Sequence, residues 1–386
     1  MNLSRLQEIT QNYYDRFLEF NTPTEPNETF KWSIAKTFST RLDEALKASN
    51  DRLIEELKNL AKETGDFIDS SRMQPFYGMA KIAEKDAALT MTVRQLLAFL
   101  IQAHDADVPT KVERIHFFNE EMLKLHKMHF PHQYNYAMDL PAATSILLLY
   151  DPDHNYMYKP TTSRAFADAL EYYDDWGSGS TLKLDMYFRF CEEVMAQLKD
   201  DPNLAQIDRM RFFQLRYEPE ALHPDANRHI LLADLMHCTG AYNLCPAMAD
   251  TQITAKKRKE FKEKLEIKEQ AVKQLDELQA DVEALDSAYD TIVSLLNDTP
   301  TILHKKYGKG TVTHYETNPV RKNDKIHITL EDGKEVKLGY QALTLKTIPF
   351  RLENDEKNLI FDLNCALLRN EASIRANYQR MSDQLN

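Results

Sequence analysis

Histidines spaced three residues apart are the first feature of this sequence that could do chemistry. The segment HKMHFPH contains His126, His129 and His132. The first two would share one helix face, where neutral imidazoles can ligate a divalent metal. Pro131 is expected to end the helix before the third, and no cysteine or carboxylate stands at the usual spacing of a further ligand. An ordinary helix end is therefore favoured, and we predict neither a metal nor another cofactor.

A histidine and two cysteines occur together in HCTGAYNLC, as His237, Cys238 and Cys245. A thiolate nucleophile needs a neighbouring base and an oxyanion site, and nothing nearby supplies them. The run is apolar, so buried structural cysteines are favoured.

Carboxylates are clustered in HDADVP, which holds His104, Asp105 and Asp107. Such clusters can bind Mg²⁺. A nuclease of the PD-(D/E)xK class would also need a Glu-x-Lys on a neighbouring strand, whereas the matching EIK at 266–268 lies in a predicted helix. We expect a solvated loop and predict no catalytic residue. A nuclease-like enzyme with a dispersed site in the helical domain stays an alternative.

Two further segments combine basic side chains with features of nucleic-acid contact. The aromatic side chains of YDPDHNYMYKP could stack on a base or bind a peptide. A loop whose aromatic rings pack on the core is favoured. The residues of interest in this segment are Asp153, Tyr156, Tyr158 and Lys159. KKRKEFKEK at 256–264 could follow a phosphate backbone or form a solvated helix face with local salt bridges. Its secondary basic face consists of Lys256, Lys257, Arg258 and Lys259.

Charge is distributed unevenly along the chain. The 386 residues carry a formal net charge of −12, which argues against nucleic acid covering the whole surface. Residues 301–350 nevertheless hold nine Lys/Arg and five Asp/Glu. The four cysteines form no CxxC pair, no signal peptide is seen, and the longest apolar run, at 140–150, is too short to span a bilayer. A cytoplasmic protein without a membrane partner is expected.

Hydrophobic periodicity predicts a mainly α fold with a multi-helix domain at 1–250. One of its helices is predicted to run from Thr40 and to stop at Gly65. A long helix at 255–298 carries a heptad-like seam, which predicts a homodimer through 272–296; packing back on the chain's own body is the alternative. The seam residues are Leu275, Leu278, Val282, Leu285, Tyr289, Ile292 and Leu296.

Short β-forming runs replace the helical pattern between 301 and 350. They are GTVTHYE, KIHITLE and KEVKLGY, with a hairpin turn at Asp332–Gly333. Strands this short indicate a small SH3-like barrel. The tail at 355–386 returns to helix. Loops between such strands often carry function. This predicts a face for nucleic acid or a protein partner, formed by Lys305, Lys306, Tyr307, Lys309, Tyr315, Arg321, Lys322 and Lys325.

The β segment resembles the Tudor/SH3-like domain at the C-terminus of UvrD/PcrA-type helicases. The resemblance rests on His304, Tyr307, Gly308, Gly310 and Val312, followed by KIHITLEDGKEVKLGYQALTL. The helicase itself is absent, because no GxxxxGK[ST] P-loop occurs. In that family such modules bind protein partners such as RNA polymerase or lie near nucleic acid, so a similar role is implied here.

A second resemblance concerns the helical part. Residues 147–170, LLLYDPDHNYMYKPTTSRAFADAL, and 228–245, RHILLADLMHCTGAYNLC, are similar to helical N-terminal segments of McrB-like restriction and defence proteins. Together with the basic module, this predicts a non-catalytic accessory subunit of a bacterial DNA-linked, defence- or restriction-like complex. A purely structural dimeric scaffold is a further alternative.

Overall fold

The computed structural model describes residues 1–22, 26–68, 73–199, 201–213, 217–246 and 253–385. The chain forms two compact units, the helical unit Met1–Lys259 and the C-terminal unit Glu260–Asn386. The mainly α class is confirmed for the described residues. The helices that lie wholly in the helical unit are α1 (Leu3–Asp15), α2 (Phe30–Lys47), α3 (Asn50–Glu63), α4 (Pro75–Ala83), α5 (Ala87–Ile101), α6 (Val108–His129), α7 (Leu140–Tyr150), α8 (Pro160–Ala169), α9 (Leu184–Leu198), α10 (Pro202–Phe213) and α11 (His229–Ala241).

Short acidic and hydroxyl side chains set the starts of several helices. Asp86 accepts from the Leu89 backbone N–H at 2.8 Å, and Asp139 accepts from that of Ala142 at 2.9 Å. Each such cap satisfies a donor that the helix itself cannot pair, which is worth about 1 kcal/mol. Ser49 starts α3 in the same way, so the single helix predicted from Thr40 is in fact two helices. The sequence-based expectation of one helix missed this cap.

The core of the helical unit is built on α7, whose residues Leu140 and Ala142 through Leu149 are all buried. A helix that is apolar on every side must be surrounded by others, which explains why this run lacks a polar face. The backbone of α4 passes close to that of Tyr136 at Gly78, because a Cβ on Gly78 would lie 2.2 Å from the carbonyl oxygen of Tyr136. None of the helices in the described ranges combines the length and apolar character that a bilayer crossing requires.

The long helix α12 (Ala255–Asn297) begins in the helical unit and continues into the C-terminal unit. The other elements of that unit are β1 (Thr301–His304), β2 (Gly308–Glu316), β3 (Lys325–Leu330), β4 (Glu335–Gly339), the short helix α13 (Gln341–Thr344), β5 (Phe350–Leu352), α14 (Asp355–Leu368) and α15 (Glu371–Leu385). The three predicted strands and the turn at Gly333, with φ of +81°, are confirmed. β1 and β5 were not predicted, because each has only three or four residues.

The sheet is antiparallel, with strand order β4-β3-β2-β1-β5. Among the described strands, no pairing joins β4 to β5, so the sheet is open and the predicted closed barrel is not confirmed. A register shift between Val312 and His314 bends β2. The open sheet leaves one face to be covered by helices.

The second half of α12 covers that face. Leu285, Tyr289, Ile292 and Leu296 are buried in one cluster with sheet residues such as Ile326. The predicted seam is therefore used inside the chain from Leu285 onward, which confirms the alternative of packing on the chain's own body for this half. These four side chains are buried against the sheet, so they are not exposed for a second copy; the homodimer through 272–296 stays a prediction.

Candidate recognition surface

The histidines of HKMHFPH lie at the end of α6 and do not converge. His126 is buried, with Nε2 2.8 Å from the carbonyl oxygen of Gln133, whereas His132 follows the helix and is exposed. Within the described ranges, no group of three metal-ligating side chains comes together. The segment serves as a helix end.

The cysteines of HCTGAYNLC are both buried. Burial raises the pKa of the Cys238 and Cys245 thiols, which keeps them protonated at neutral pH. His237 points its Nε2 to Glu28 Oε1, 3.2 Å away. These residues do not assemble a thiolate nucleophile.

His104 contacts a carboxylate that is distant in the sequence. Its Nδ1 lies 2.6 Å from Oδ2 of Asp151, and Nδ1 of His154 lies 2.9 Å from the same oxygen. Asp107 caps α6 by accepting from the Thr110 N–H at 3.0 Å. HDADVP is thus mostly exposed, as the favoured interpretation predicts for Asp105 and Asp107, and it contributes a helix cap and a loop contact. Only the fold could reveal the shared Asp151.

The aromatic residues of YDPDHNYMYKP belong to the core, as the favoured interpretation predicts. Tyr156 and Tyr158 are buried, and Asp153 Oδ1 accepts from the backbone N–H of Asn227 at 3.2 Å. Lys159 places Nζ 5.5 Å above the ring centre of Phe67. The segment ties loops together and does not present its rings for stacking.

A buried ionic network, not foreseen from the sequence, joins α1, α2 and α11. Lys31 is 3% exposed and forms ion pairs with Glu28 and Asp234, and the Tyr13 hydroxyl donates to Asp234 Oδ2 at 2.5 Å. Burial raises the pKa of Glu28, but His237 and Lys31 outweigh it and hold that pKa well below its usual range. The available signal was Asp234 inside the apolar run HILLADLMHC.

The secondary basic face is only partly free. Arg258 donates through Nε and Nη2 to the two carboxylate oxygens of Asp168, at 2.7 and 2.8 Å. The hydrogen bonds raise the pKa of Arg258 further. Arg258 therefore anchors the start of α12 within the helical unit, and only Lys256, Lys257 and Lys259 are exposed.

Two residues of the predicted binding face are structural. Tyr315 is buried in the C-terminal core, so the expectation that it contacts a partner is wrong. Arg321 lies 4.0 Å from the ring centre of Tyr289 and donates to Asp286 at 2.7 Å and to Glu371 at 2.9 Å. The guanidinium of Arg321 therefore binds groups of its own unit. The sequence shows that this residue is charged but does not show which groups pair with it.

The turn between β1 and β2 is the ordered, exposed part of the predicted face. His304 Nδ1 accepts from the backbone N–H groups of Lys306 and Tyr307, at 3.0 and 3.2 Å. The half-exposed ring of Tyr307 lies against His304, with centroids 4.6 Å apart. Burial, and then the charge of Lys306, lowers the pKa of His304, which preserves the acceptor. Lys305 and Lys306 are held outward on this turn.

The remaining predicted cations differ in their freedom. Lys309 forms an ion pair with Glu353 at 2.6 Å, although both side chains are partly exposed. Such exposed pairs are weak, so Lys309 can exchange partners. Lys322 and Lys325 are exposed.

A groove of about 750 Å³ adjoins the β1–β2 turn, and we call it the α14 groove. Residues of β1 and β5 and of the segments beside them line it together with residues of α14. Its apolar lining consists of Leu303, Ile348, Phe350, Leu359, Leu363 and Ala366. Its charged lining consists of Lys305, Lys346, Arg351, Arg369 and Asp362. The sequence analysis identified only Lys305 among these, because the groove draws on β1, β5 and α14 and on the segments that connect them to their neighbours.

Comparison of the chain with protein-family models, with curated proteins and with solved structures gives no match. The resemblances to the Tudor/SH3-like domain and to McrB-like proteins therefore stay predictions.

Proposed function

We propose that this chain is a non-catalytic recognition subunit of a bacterial DNA-linked complex, defence- or restriction-like, and that it binds a protein partner through its C-terminal unit. The observation that carries the proposal is the α14 groove, where Lys305, Lys346, Arg351 and Arg369 surround an apolar floor. Protein interfaces combine an apolar centre with a polar rim in this way. The DNA-linked setting rests on the resemblances alone.

Affinity purification of the tagged full-length chain from its source cells, followed by quantitative mass spectrometry, tests this proposal. We expect the charge reversals Lys305→Glu and Lys346→Glu together to remove a protein that the wild type retains. The matched control reverses Lys334 and Lys337, which are exposed cations of the same unit outside both the groove and the predicted binding face. Identical sets of bound proteins for all three chains would refute the proposal.

Nucleic acid is the second candidate ligand, favoured by the neighbouring exposed Lys305 and Lys306 with the Tyr307 ring beside them. A phosphate contact contributes to the salt dependence of binding. If DNA is the ligand, anisotropy titrations with a short duplex should show a salt slope that falls by about 1 for each lysine removed.

A further inference from the structure

We propose that the α14 groove binds an acidic amphipathic helix of a partner protein. This inference rests on the proposed function and names the chemistry of its partner.

The first observation is that α14 is apolar on two faces. Phe361, Cys365 and Leu368 are buried toward the sheet. Leu359 and Leu363, one turn apart on the groove side, are 62% and 61% exposed. One stripe is enough for a helix that only covers a sheet, so the second stripe indicates a surface that another chain covers.

The second observation is the charge around the groove. The lining contains four cations, Lys305, Lys346, Arg351 and Arg369, and a single carboxylate, that of Asp362. Arg351 has a distant contact with Asp355 at 3.7 Å, and both side chains are largely exposed. A partner with acidic residues flanking its apolar stripe complements this rim. A second copy presenting the same groove would oppose like charges, which disfavours a symmetric dimer here.

The third observation concerns the edge of the sheet. β5 is an edge strand, so a partner could in principle add a strand to it. The backbone N–H of Leu352, however, donates to Oδ1 of Asn358 on α14 at 2.8 Å. Because α14 already supplies the hydrogen-bond acceptor for this N–H, strand addition at β5 is disfavoured. The groove instead accepts apolar side chains that insert between α14 and the sheet. An amphipathic helix presents such side chains in a single row.

The apolar floor of the groove also favours an amphipathic helix over DNA as the ligand. Phe350 and Ile348 are 2% and 8% exposed and form the base of the groove, whereas Leu363 lines it as an exposed side chain. A duplex backbone would use the cations and leave the two exposed leucines of α14 uncovered. A helix with leucines on one face and glutamates on the other uses both.

The probe is a fluorescein-labelled peptide with leucines at i, i+4 and i+7 and glutamates elsewhere, titrated into the full-length chain. We expect saturable anisotropy, and at least tenfold weaker binding for Leu363→Glu. Leu363→Met should bind like the wild type, because methionine keeps an adaptable apolar side chain. Leu18→Glu, at a leucine of the helical unit that is 51% exposed, is the matched control and should change nothing.

Several results would overturn the inference. They are the absence of saturable binding, equal binding of a peptide with the same residues in scrambled order, equal binding of a lysine/leucine peptide, and an unchanged affinity for Leu363→Glu. Displacement of the peptide by a DNA duplex with no effect of Leu363→Glu would assign the groove to phosphate. Concentration-dependent self-association that Leu363→Glu abolishes would assign it to a second copy.

The experiments distinguish failure of the recognition role from failure of the helix-binding groove. If Lys305→Glu with Lys346→Glu removes a bound protein while Leu363→Glu retains it, the recognition role stands and the helix-binding groove is wrong. If neither set of substitutions changes the bound proteins, the recognition role is wrong as well.

Discussion

The hydroxyl of Tyr315 donates to Oδ2 of Asp324 at 3.0 Å, deep in the C-terminal unit. The Tyr289 hydroxyl donates to the same oxygen at 2.7 Å, and the Asn318 backbone N–H donates to Oδ1 at 2.7 Å. One carboxylate thus joins α12, β2 and the loop before β3. Burial, followed by the contact with Asp324, raises the pKa of Tyr289 to about 12, so its hydroxyl stays a donor.

Removal of this carboxylate should destabilise the C-terminal unit. Asp324→Ala leaves two buried hydroxyls without their acceptor, and we expect a loss of about 3 kcal/mol in the free energy of unfolding. Urea unfolding followed by far-UV circular dichroism measures it. The two tryptophans, Trp32 and Trp176, lie in the helical unit, so their fluorescence provides a separate reading of that unit. Asp281→Ala, at an exposed position of α12, is the control and should stay within about 0.5 kcal/mol.

The ion pair between Arg258 and Asp168 predicts that substitution of Arg258 lowers the free energy of unfolding. The sequence had suggested that this residue contacts nucleic acid. Arg258→Ala leaves the buried Asp168 without its cation, and we expect about 2 kcal/mol of destabilisation. The exposed neighbour supplies the control, because Lys257→Ala should change the free energy of unfolding by less than about 0.5 kcal/mol. A double-mutant cycle with Asp168→Ala gives the coupling energy. Coupling near zero would contradict the anchoring role.

The buried network around Lys31 predicts a pH-dependent stability. Lys31→Met leaves Glu28 and Asp234 buried without a cation, and we expect a loss of about 3 kcal/mol at pH 7. Because the folded-state pKa of Glu28 is lowered, its contribution is complete above its ordinary value of 4.5 and declines as the pH falls further. The raised pKa of Lys31 keeps that side chain charged throughout this range.

The difference between wild type and Lys31→Met should therefore narrow as the pH falls below 4.5, because Glu28 then becomes protonated in the unfolded chain while Lys31 still holds it ionised in the folded wild type. Urea unfolding at a series of pH values measures both chains. Lys36→Met, on the exposed side of the same helix, should show no such trend. An equal gap at pH 7 and in acid would show that the network contributes no net charge stabilisation.

The use of the α12 seam inside the chain gives a prediction about assembly. Leu285→Ala should lower the free energy of unfolding by about 3 kcal/mol, because it opens a cavity between α12 and the sheet. Light scattering should return the same molar mass as for the wild type. Val272→Ala, 42% exposed on the first half of the helix, serves as the comparison. A fall in molar mass for Leu285→Ala alone would support a homodimer through 272–296.

The fold class could be read from the sequence because it depends on local patterns. Periodic leucines predicted the helices, and Asp332–Gly333 predicted a turn that adopts the expected positive φ. The binding face could not be read in the same way. Tyr315 and Arg321 were chosen for their type, whereas their direction is set by Asp324 and by Asp286, which only tertiary structure brings near.

The α14 groove was out of reach for a related reason. Lys346 and Arg369 are 23 positions apart in sequence and line the same groove only when α14 folds against the sheet. One local signal existed, since NLIFDLNCALL carries apolar residues on more than one face of a helix. Two apolar stripes on one helix that covers a sheet indicate that one stripe contacts something other than the chain's own core.

All four cysteines are free and buried, with three in the helical unit and Cys365 in the C-terminal unit. A thiol reagent can reach them only when the surrounding structure opens. The chain therefore contains natural probes of its own local opening in both units. Timing the labelling of Cys365 against that of Cys191, by mass spectrometry of peptides, would show which unit opens first under native conditions, without any engineered label.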